Sequence, residues 1–401
     1  MSVRLWRASG ALFRLPAAVI GCALVVRVLD EWWSYLPAGT IGDHHRDLGF
    51  SYAQSGWLLA LLTLGGVVGA PLAPLADRGR RRLLAVAGAL GLAAGLAAFA
   101  LGAPFAVLAV CAAVLGAASD LVILPLESAL AEHAGDELDR WLGRQHLVTW
   151  FGDFIGPALL ALGAATALGW RGVFAVTAAI YVAFGAVLSL IEFPEAVPSE
   201  QDGPAEPVWR VARSLLRERE LLLLAGAELL LLPLDEAFLG FAVARRAGDG
   251  GAVAQSLAGG VVVGGIAGAL LVARKGLDRR RTAAGGAAMV AGAFGAALAP
   301  ALVVQVSAMA ALGAGTAVVW AKVHHRTLTV IPEWTATVPT LVGLLATPAL
   351  LIPVGMGALS DRTSITAAMV GAAVLTVPLA AIVVRLGGDR VAAEELDALD
   401  A

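Results

Sequence analysis

The chain has 401 residues, of which 59% are hydrophobic and 15% charged, with mean hydropathy +0.82 and formal net charge -3. Soluble globular chains carry roughly 25% charged residues, so a soluble multidomain protein is excluded, and there is no basic excess to attract nucleic acid. Cys22 and Cys111 lie in apolar runs with no pairing or metal spacing, and read as small hydrophobes.

A helix needs about 20 consecutive apolar residues to span a bilayer, and about twelve such runs are present. They lie near 15–37, 54–76, 83–101, 104–130, 142–166, 170–191, 221–242, 253–273, 283–299, 301–322, 335–357 and 365–386. Runs this continuous are helical rather than barrel strands. Arg4, Arg7 and Arg14 before the first run imitate a signal peptide, but the run continues into a charged helix and further spans follow, so an uncleaved anchor is expected.

The first span contains "VVRVLDEWWSYLPAG", with Arg27, Asp30 and Glu31 inside it. Spacings of three and four residues put all three on one face. The loop after it carries "HHRD" (His44 to Asp47), expected to be solvated. The second span ends in "PLADRGRRRLL", which holds Asp77, Arg78, Gly79, Arg80 and Arg81. Span four carries Asp120 and Glu127, and span five carries His146 and Asp153 within "GDFIGPALLALG". Residues 193–220 begin Pro- and acid-rich, as a linker. They then place Val208, Val211, Ala212, Leu215 and Leu216 opposite Arg210, Arg213 and Arg217, as a short surface helix would. Span seven carries Glu228, Asp235 and Glu236, in "LLLPLDEAFLGF". A second basic loop, "ARKGLDRRR", holds Asp278 and Arg279, and span ten ends in "KVHHR" from Lys322. Asp120 and Glu127, His146 and Asp153, and Glu228 and Asp235 are each two helical turns apart on one face.

The basic loops at 78–82 and 274–281 face the cytoplasm by the positive-inside rule, and an even number of spans puts both termini there too. The chain also repeats. Ala53-Gln54-Ser55 recurs as Ala254-Gln255-Ser256, Asp77-Arg78 as Asp278-Arg279 and Arg80 as Arg281, all at an offset of 201 residues. Leu29-Asp30-Glu31 is echoed by Leu234-Asp235-Glu236. Six-span halves of equal orientation form a parallel repeat about an axis along the membrane normal. The division is a bundle at 1–192, a cytoplasmic linker at 193–220, a second bundle at 221–386 and an acidic tail at 387–401.

With these motifs the chain resembles the major facilitator superfamily over essentially all twelve spans. That family's loop after span two reads roughly Gly-x-x-x-Asp-Arg-x-Gly-Arg-Arg. Asp77, Arg78, Gly79, Arg80 and Arg81 match it, with one residue missing after Arg78 and Ala73 in place of the leading glycine. A weaker copy, Gly357 to Arg362, follows span eleven. The resemblance implies an inter-helix latch at Asp77 and Asp278. Gly152, Gly156 and Pro157 resemble the family's antiporter motif, but the small-xxx-small glycine pair equally serves helix packing. It implies an all-α membrane fold: twelve transmembrane helices in two six-helix bundles related by pseudo-two-fold symmetry. The first and fourth spans of each half would line a central cavity, and every third span would face lipid.

An ionisable residue costs about 2.5–3.5 kcal/mol at mid-bilayer and usually faces a polar pathway. Arg27, Asp30, Glu31, Asp120, Glu127, His146, Asp153, Glu228, Asp235, Glu236 and Lys322 are therefore expected at the cavity. Desolvated carboxylates exchange protons near neutral pH, which suits proton coupling. The expected activity is secondary transport of a small organic solute, by proton-coupled efflux, with proton-coupled uptake, a non-transporting receptor and a membrane enzyme as alternatives. The expected partners are the lipid bilayer of the cell membrane, a small-molecule substrate and protons, for a monomer without cofactor or metal. No Walker loop is present.

Overall fold

The computed structural model describes residues 17–69, 80–134, 138–193, 218–234, 236–330 and 337–386. Its helices are α1 (Ala17–Gly39), α2 (Ile41–Leu48), α3 (Tyr52–Gly69), α4 (Arg81–Leu101), α5 (Phe105–Ala134), α6 (Leu138–Ala165) and α7 (Gly169–Leu190). They continue with α8 (Arg219–Leu231), α9 (Glu236–Arg245), α10 (Gly251–Lys275), α11 (Arg279–Leu298), α12 (Leu302–Thr329), α13 (Thr337–Ala346), α14 (Leu351–Arg362) and α15 (Ile365–Arg385). Among the described residues, nine helical segments are long and apolar enough to cross a bilayer. The remaining expected spans depart for visible reasons. The α1 helix carries three charges, α11 opens on three arginines, and the seventh run breaks at a 3₁₀ turn, Leu232–Leu234, holding a proline. A second 3₁₀ turn, Thr347–Leu350 with Pro348, joins α13 to α14. Proline lacks the N–H that an unbroken helix needs.

The packing pattern of the first seven helices recurs in the rest. Helix α1 packs on α6, α3 and α4 on α5, and α4 on α7; correspondingly α8 packs on α13, α10 and α11 on α12, and α11 on α15. The repeat extends to single residues. A Cβ on Gly65 would lie 2.1 Å from the Ala113 carbonyl oxygen, and one on Gly116 would lie 1.8 Å from that of Leu62. In the second half Gly264 and Gly313 stand in the same relation to Ala310 and Val261, at 1.9 and 2.2 Å. Backbone meets backbone at both crossings, so only glycine fits. Apolar side chains such as Leu83, Leu101, Val182, Leu190, Val374 and Val377 are exposed along α4, α7 and α15, as are Val110 of α5, Val263 of α10 and Val303 of α12.

The halves touch through α3 with α14, α6 with α10 and α1 with α9. The contacts gather at the end where α1 finishes and α3 begins, hereafter the closed end. There Gly240 meets the Ala38 carbonyl, Gly251 meets Ala164, and Gly56 and Gly357 bring α3 and α14 together. Tyr35 donates a hydrogen bond to Gln255 Oε1 across the interface, and Gln255 Nε2 donates to the Gly39 carbonyl oxygen at 3.2 Å.

Candidate functional site

Helix α1 lies between α5 and α6, and its charged face turns toward α5. Arg27 Nε stands 2.9 Å from Glu127 Oε1, and a guanidinium nitrogen is 3.8 Å from Asp30 Oδ2. The Nε–H is not aligned for a hydrogen bond, so the Glu127 contact is an ion pair by distance only. Asp30 Oδ1 accepts from the Trp33 indole at 3.1 Å and from the Ser119 hydroxyl on α5. Asp30 therefore has two neutral donors and a cation about its carboxylate. A mid-helix charge is tolerated when its lone pairs are met this way and is costly otherwise.

Asp120 follows Ser119 on α5, and its Oδ2 lies 3.3 Å from where a Gly66 Cβ would sit. Among the described residues no ion pair or hydrogen bond reaches its side chain. Tyr181 on α7 is fully buried near Asp30 and Glu31, and its hydroxyl has no hydrogen-bond partner among the described residues. Arg27 is thus shared between Glu127 and Asp30, with Asp120 beside them and without an ion-pair partner among the described residues.

Glu31 lies on the α6 side, where a Gly152 Cβ would be 2.7 Å from Glu31 Cβ and 2.5 Å from the Val28 carbonyl oxygen. Gly156 stands 2.9 Å by the same measure from the Trp32 carbonyl oxygen. The motif glycines act as packing glycines, drawing α6 onto the charged stretch of α1. Pro157 is buried just beyond. Asp153, half-buried, sits one turn on from Trp150, whose ring packs on Gly265 of α10.

In the second half, Glu236 is the first residue of α9, immediately after the break. It lines a cavity of about 210 Å³ with Leu59 and Thr63 of α3, Leu232, Ala349, Leu350 and Pro353. Both interrupted spans meet there, and irregular backbone at membrane depth is tolerated where it lines a cavity. Glu228 lies half-buried on α8. Lys322 does not join the acids of the first half. It is one turn from Arg326, which pairs with Glu220 at the start of α8.

Arg80 and Arg81 precede and open α4, with Arg81 almost fully buried. Asp278 caps its own helix, accepting from Arg281 N at 2.7 Å and pairing with the Arg281 guanidinium at 3.4 Å, while Arg279 begins α11. Asp77, Arg78, Gly79, Asp235, the linker at 194–217 and the tail at 387–401 lie outside the described residues, as does the His146 side chain within α6.

One expectation fails. The "HHRD" stretch is a helix, α2, and His44 is fully buried rather than solvated. Its ring contacts Trp170 edge-on at 5.1 Å between centroids and lies 5.8 Å from Phe99 and 6.1 Å from Phe50. Its Nε2 is 3.3 Å from Thr40 Oγ1, while Nδ1 has no partner among the described residues. Burial pushes its pKa down to about 4. Ile41 is buried with it, and the outer face of α2 reaches solvent, with Arg46 pairing to Asp43 at 2.6 Å and Asp47 at 2.8 Å. Asp47 also accepts from the Trp170 indole at 2.8 Å. These residues form one wall of a cavity of about 340 Å³ between the halves at the closed end, opposite Val243, Ala244, Ala247 and Gly251. Among the described residues no three His, Cys, Asp or Glu side chains gather as a metal site requires.

Sequence reasoning did not find Ser119, Trp33, Tyr35 or Gln255. In the sequence Gln255 is visible only as a repeat marker. Its counterpart Gln54 caps α3 locally, whereas Gln255 bridges the halves.

The family model described as Major Facilitator Superfamily matches residues 21–347. No curated relative matches the chain in sequence. Among solved structures, a bacterial homolog of the human lysosomal transporter Spinster, inward-facing and unoccupied, is similar with TM-score 0.70 and 16% identity, over 94% of this chain and 98% of that one. The nucleoside transporter NupG is similar with TM-score 0.69 and 13% identity, over 93% and 98%. The xylose transporter XylE from E. coli, partially occluded and inward open, is similar with TM-score 0.69 and 15% identity, over 91% and 97%.

Proposed function

Because the chain belongs to the Major Facilitator Superfamily and is a multi-pass membrane transporter, we propose that it exports a small organic solute in exchange for protons. The observation that carries this reading is the sharing of Arg27 between Glu127 and Asp30 in helices that cross the membrane. A protonated Asp30 releases Arg27 to Glu127, and an ionised Asp30 needs Arg27, Ser119 and Trp33. The site thus has two arrangements that differ by one proton, which is what coupling requires.

The exchange reading draws on the likeness of Gly152, Gly156 and Pro157 to the family's antiporter motif, and the packing of these glycines joins α6 to the charged stretch of α1. The cavity at Glu236 and Thr63 is the proposed solute subsite, lined mostly by apolar groups and suited to an amphipathic solute. We orient the chain by the positive-inside rule, with the basic loops and termini on the cytoplasmic side of the cell membrane and residues 1–192 and 221–386 as the moving halves. On that orientation the closed end is the external one.

The test is a pair of flux assays on one set of proteoliposomes, with the substrate taken from a ligand panel on purified protein. Asp30→Asn should abolish movement driven by a pH gradient and spare exchange at equal pH, because exchange needs no proton release. Normal gradient-driven flux would remove Asp30 from coupling. Loss of both, with lost binding, would make Asp30 a solute ligand. Flux inward with the proton gradient in the unmodified protein would make it an importer.

A further inference from the structure

Asp361 is the penultimate residue of α14, in the second half. A carboxylate in the last turn of a helix faces the negative end of its own dipole. Nothing in α14 itself rewards an acid there. Its partners lie in the first half: Oδ1 accepts the Tyr52 N–H at 2.8 Å and Oδ2 accepts the Ala53 N–H at 2.9 Å.

Those are the first two residues of α3, and an α-helix leaves its first N–H groups without intrahelical acceptors. The start of α3 solves part of this locally. Ser51 and Gln54 form a reciprocal capping box, with Gln54 N donating to Ser51 Oγ at 3.1 Å and Ser51 N donating to Gln54 Oε1 at 2.9 Å. Ser55 N reaches the Ser51 carbonyl oxygen at 3.1 Å. The box leaves Tyr52 and Ala53 over, and Asp361 takes both. The first turn of α3 is complete only when the other half of the protein is seated on it.

The surroundings are built for that seating. A Cβ on Gly357, one turn before Asp361, would lie 2.2 Å from the Tyr52 carbonyl oxygen, and one on Gly56 would lie 2.3 Å from that of Pro353. The two glycines let the backbones close far enough for a short aspartate to span them. At the corresponding contact, between the end of α6 and the start of α10, no such device is seen among the described residues. Gly251 meets Ala164 there, and the Gly250 cap has no side-chain bond.

We infer that Asp361 is a latch between the halves: it caps α3 in trans, holds the closed end shut, and must release both N–H groups to water before that end can open. The inference rests on alternating access and not on proton coupling. A charged cap on a solvent-accessible helix start is worth about five- to tenfold in an equilibrium. The latch is therefore strong enough to bias the closed end and weak enough to release in each cycle.

The test reads how often the closed end opens. Ala254, buried at that interface, is changed to Cys in a Cys22→Ser, Cys111→Ser background. Its modification rate by a charged methanethiosulfonate is followed in purified protein without substrate or gradient, with Gly248→Cys as the exposed control. Asp361→Ala should raise the rate at position 254 about five- to tenfold and leave the control unchanged, and Asp361→Asn, keeping one acceptor, should fall between. Tyr52→Pro deletes one donor while suiting the first helical position, and Tyr52→Ala keeps the donor but loses the ring. Proline should raise the rate beyond alanine in the native background and add nothing beyond alanine when Asp361→Ala is present. An unchanged rate in Asp361→Ala, or additive effects in the cycle, would overturn the latch. A faster control would mark misfolding, and Asp361→Asn then decides the matter. Neither result touches the proposal of proton coupling, which this assay does not engage.

Discussion

His44 offers a direct test of the closed end, because its protonation has nowhere to go. Thr40 Oγ1 donates its own hydrogen to the Leu36 carbonyl oxygen at 2.7 Å, so its lone pair receives the hydrogen on His44 Nε2. A second proton would fall on Nδ1, which has no acceptor among the described residues and is enclosed by Trp170, Phe50 and Phe99. Burial lowers the pKa from the ordinary 6.5 to about 4. The unfolded chain therefore binds this proton between those values and the folded one does not. Stability is full above pH 6.5 and falls as pH drops, with a slope of at most about 1.4 kcal/mol per unit, for a total of about 3 kcal/mol by pH 4. By pH 5 the loss is about 2 kcal/mol. Other groups titrate over the same range, so the useful quantity is a difference. His44→Phe keeps a ring in the cage and removes the titration. Thermal unfolding of both proteins in detergent from about pH 7.5 to about pH 4.5 should show the native protein losing about 2 kcal/mol relative to the variant by about pH 5. A gap between them that does not change with pH would refute the account of His44 as a buried neutral base.

Two further outcomes are expected. Ser119→Ala removes a donor from Asp30 and should leave fold and solute binding intact while moving the pH profile of gradient-driven flux toward higher pH, since the ionised form is less stabilised; an unmoved profile would make the bond structural only. Lys275→Cys should resist an impermeant thiol reagent in intact cells while Gly248→Cys is labelled, and the reverse pattern would invert the proposed orientation.

Long spans were legible because about 20 apolar residues leave few alternatives. The first-half cluster was legible in part. Spacing put Arg27 and Asp30 on one face, and the structure adds Glu127 to the same arginine. Lys322 shows where such reasoning stops. Helical periodicity cannot report depth, and this lysine lies with Arg326 and Glu220 at the far end of its helix. His44 was misread because a polar tetrapeptide in a loop looks solvated. Only the distant rings of Phe99 and Trp170, brought in by α4 and α7, make its site dry. Asp361 was visible as a degraded motif, but its partners are backbone N–H groups 308 and 309 residues away, which no side-chain pattern encodes.

The glycine crossings of α3 with α5 and of α10 with α12 have a consequence for how this protein can change over time. Where main chain rests on main chain there is no rotamer to adjust and no neighbour whose volume could compensate. A methyl group at Gly116 or Gly264 must push whole helices apart. These positions form two fixed joints, one in each half, that second-site substitutions will not rescue. Selection for a new solute is thereby channelled away from the joints and onto the walls of the proposed solute cavity, which Thr63, Leu232 and Leu350 line. A complete substitution library should show the two joints as twin intolerant patches, whatever solute is used to select it.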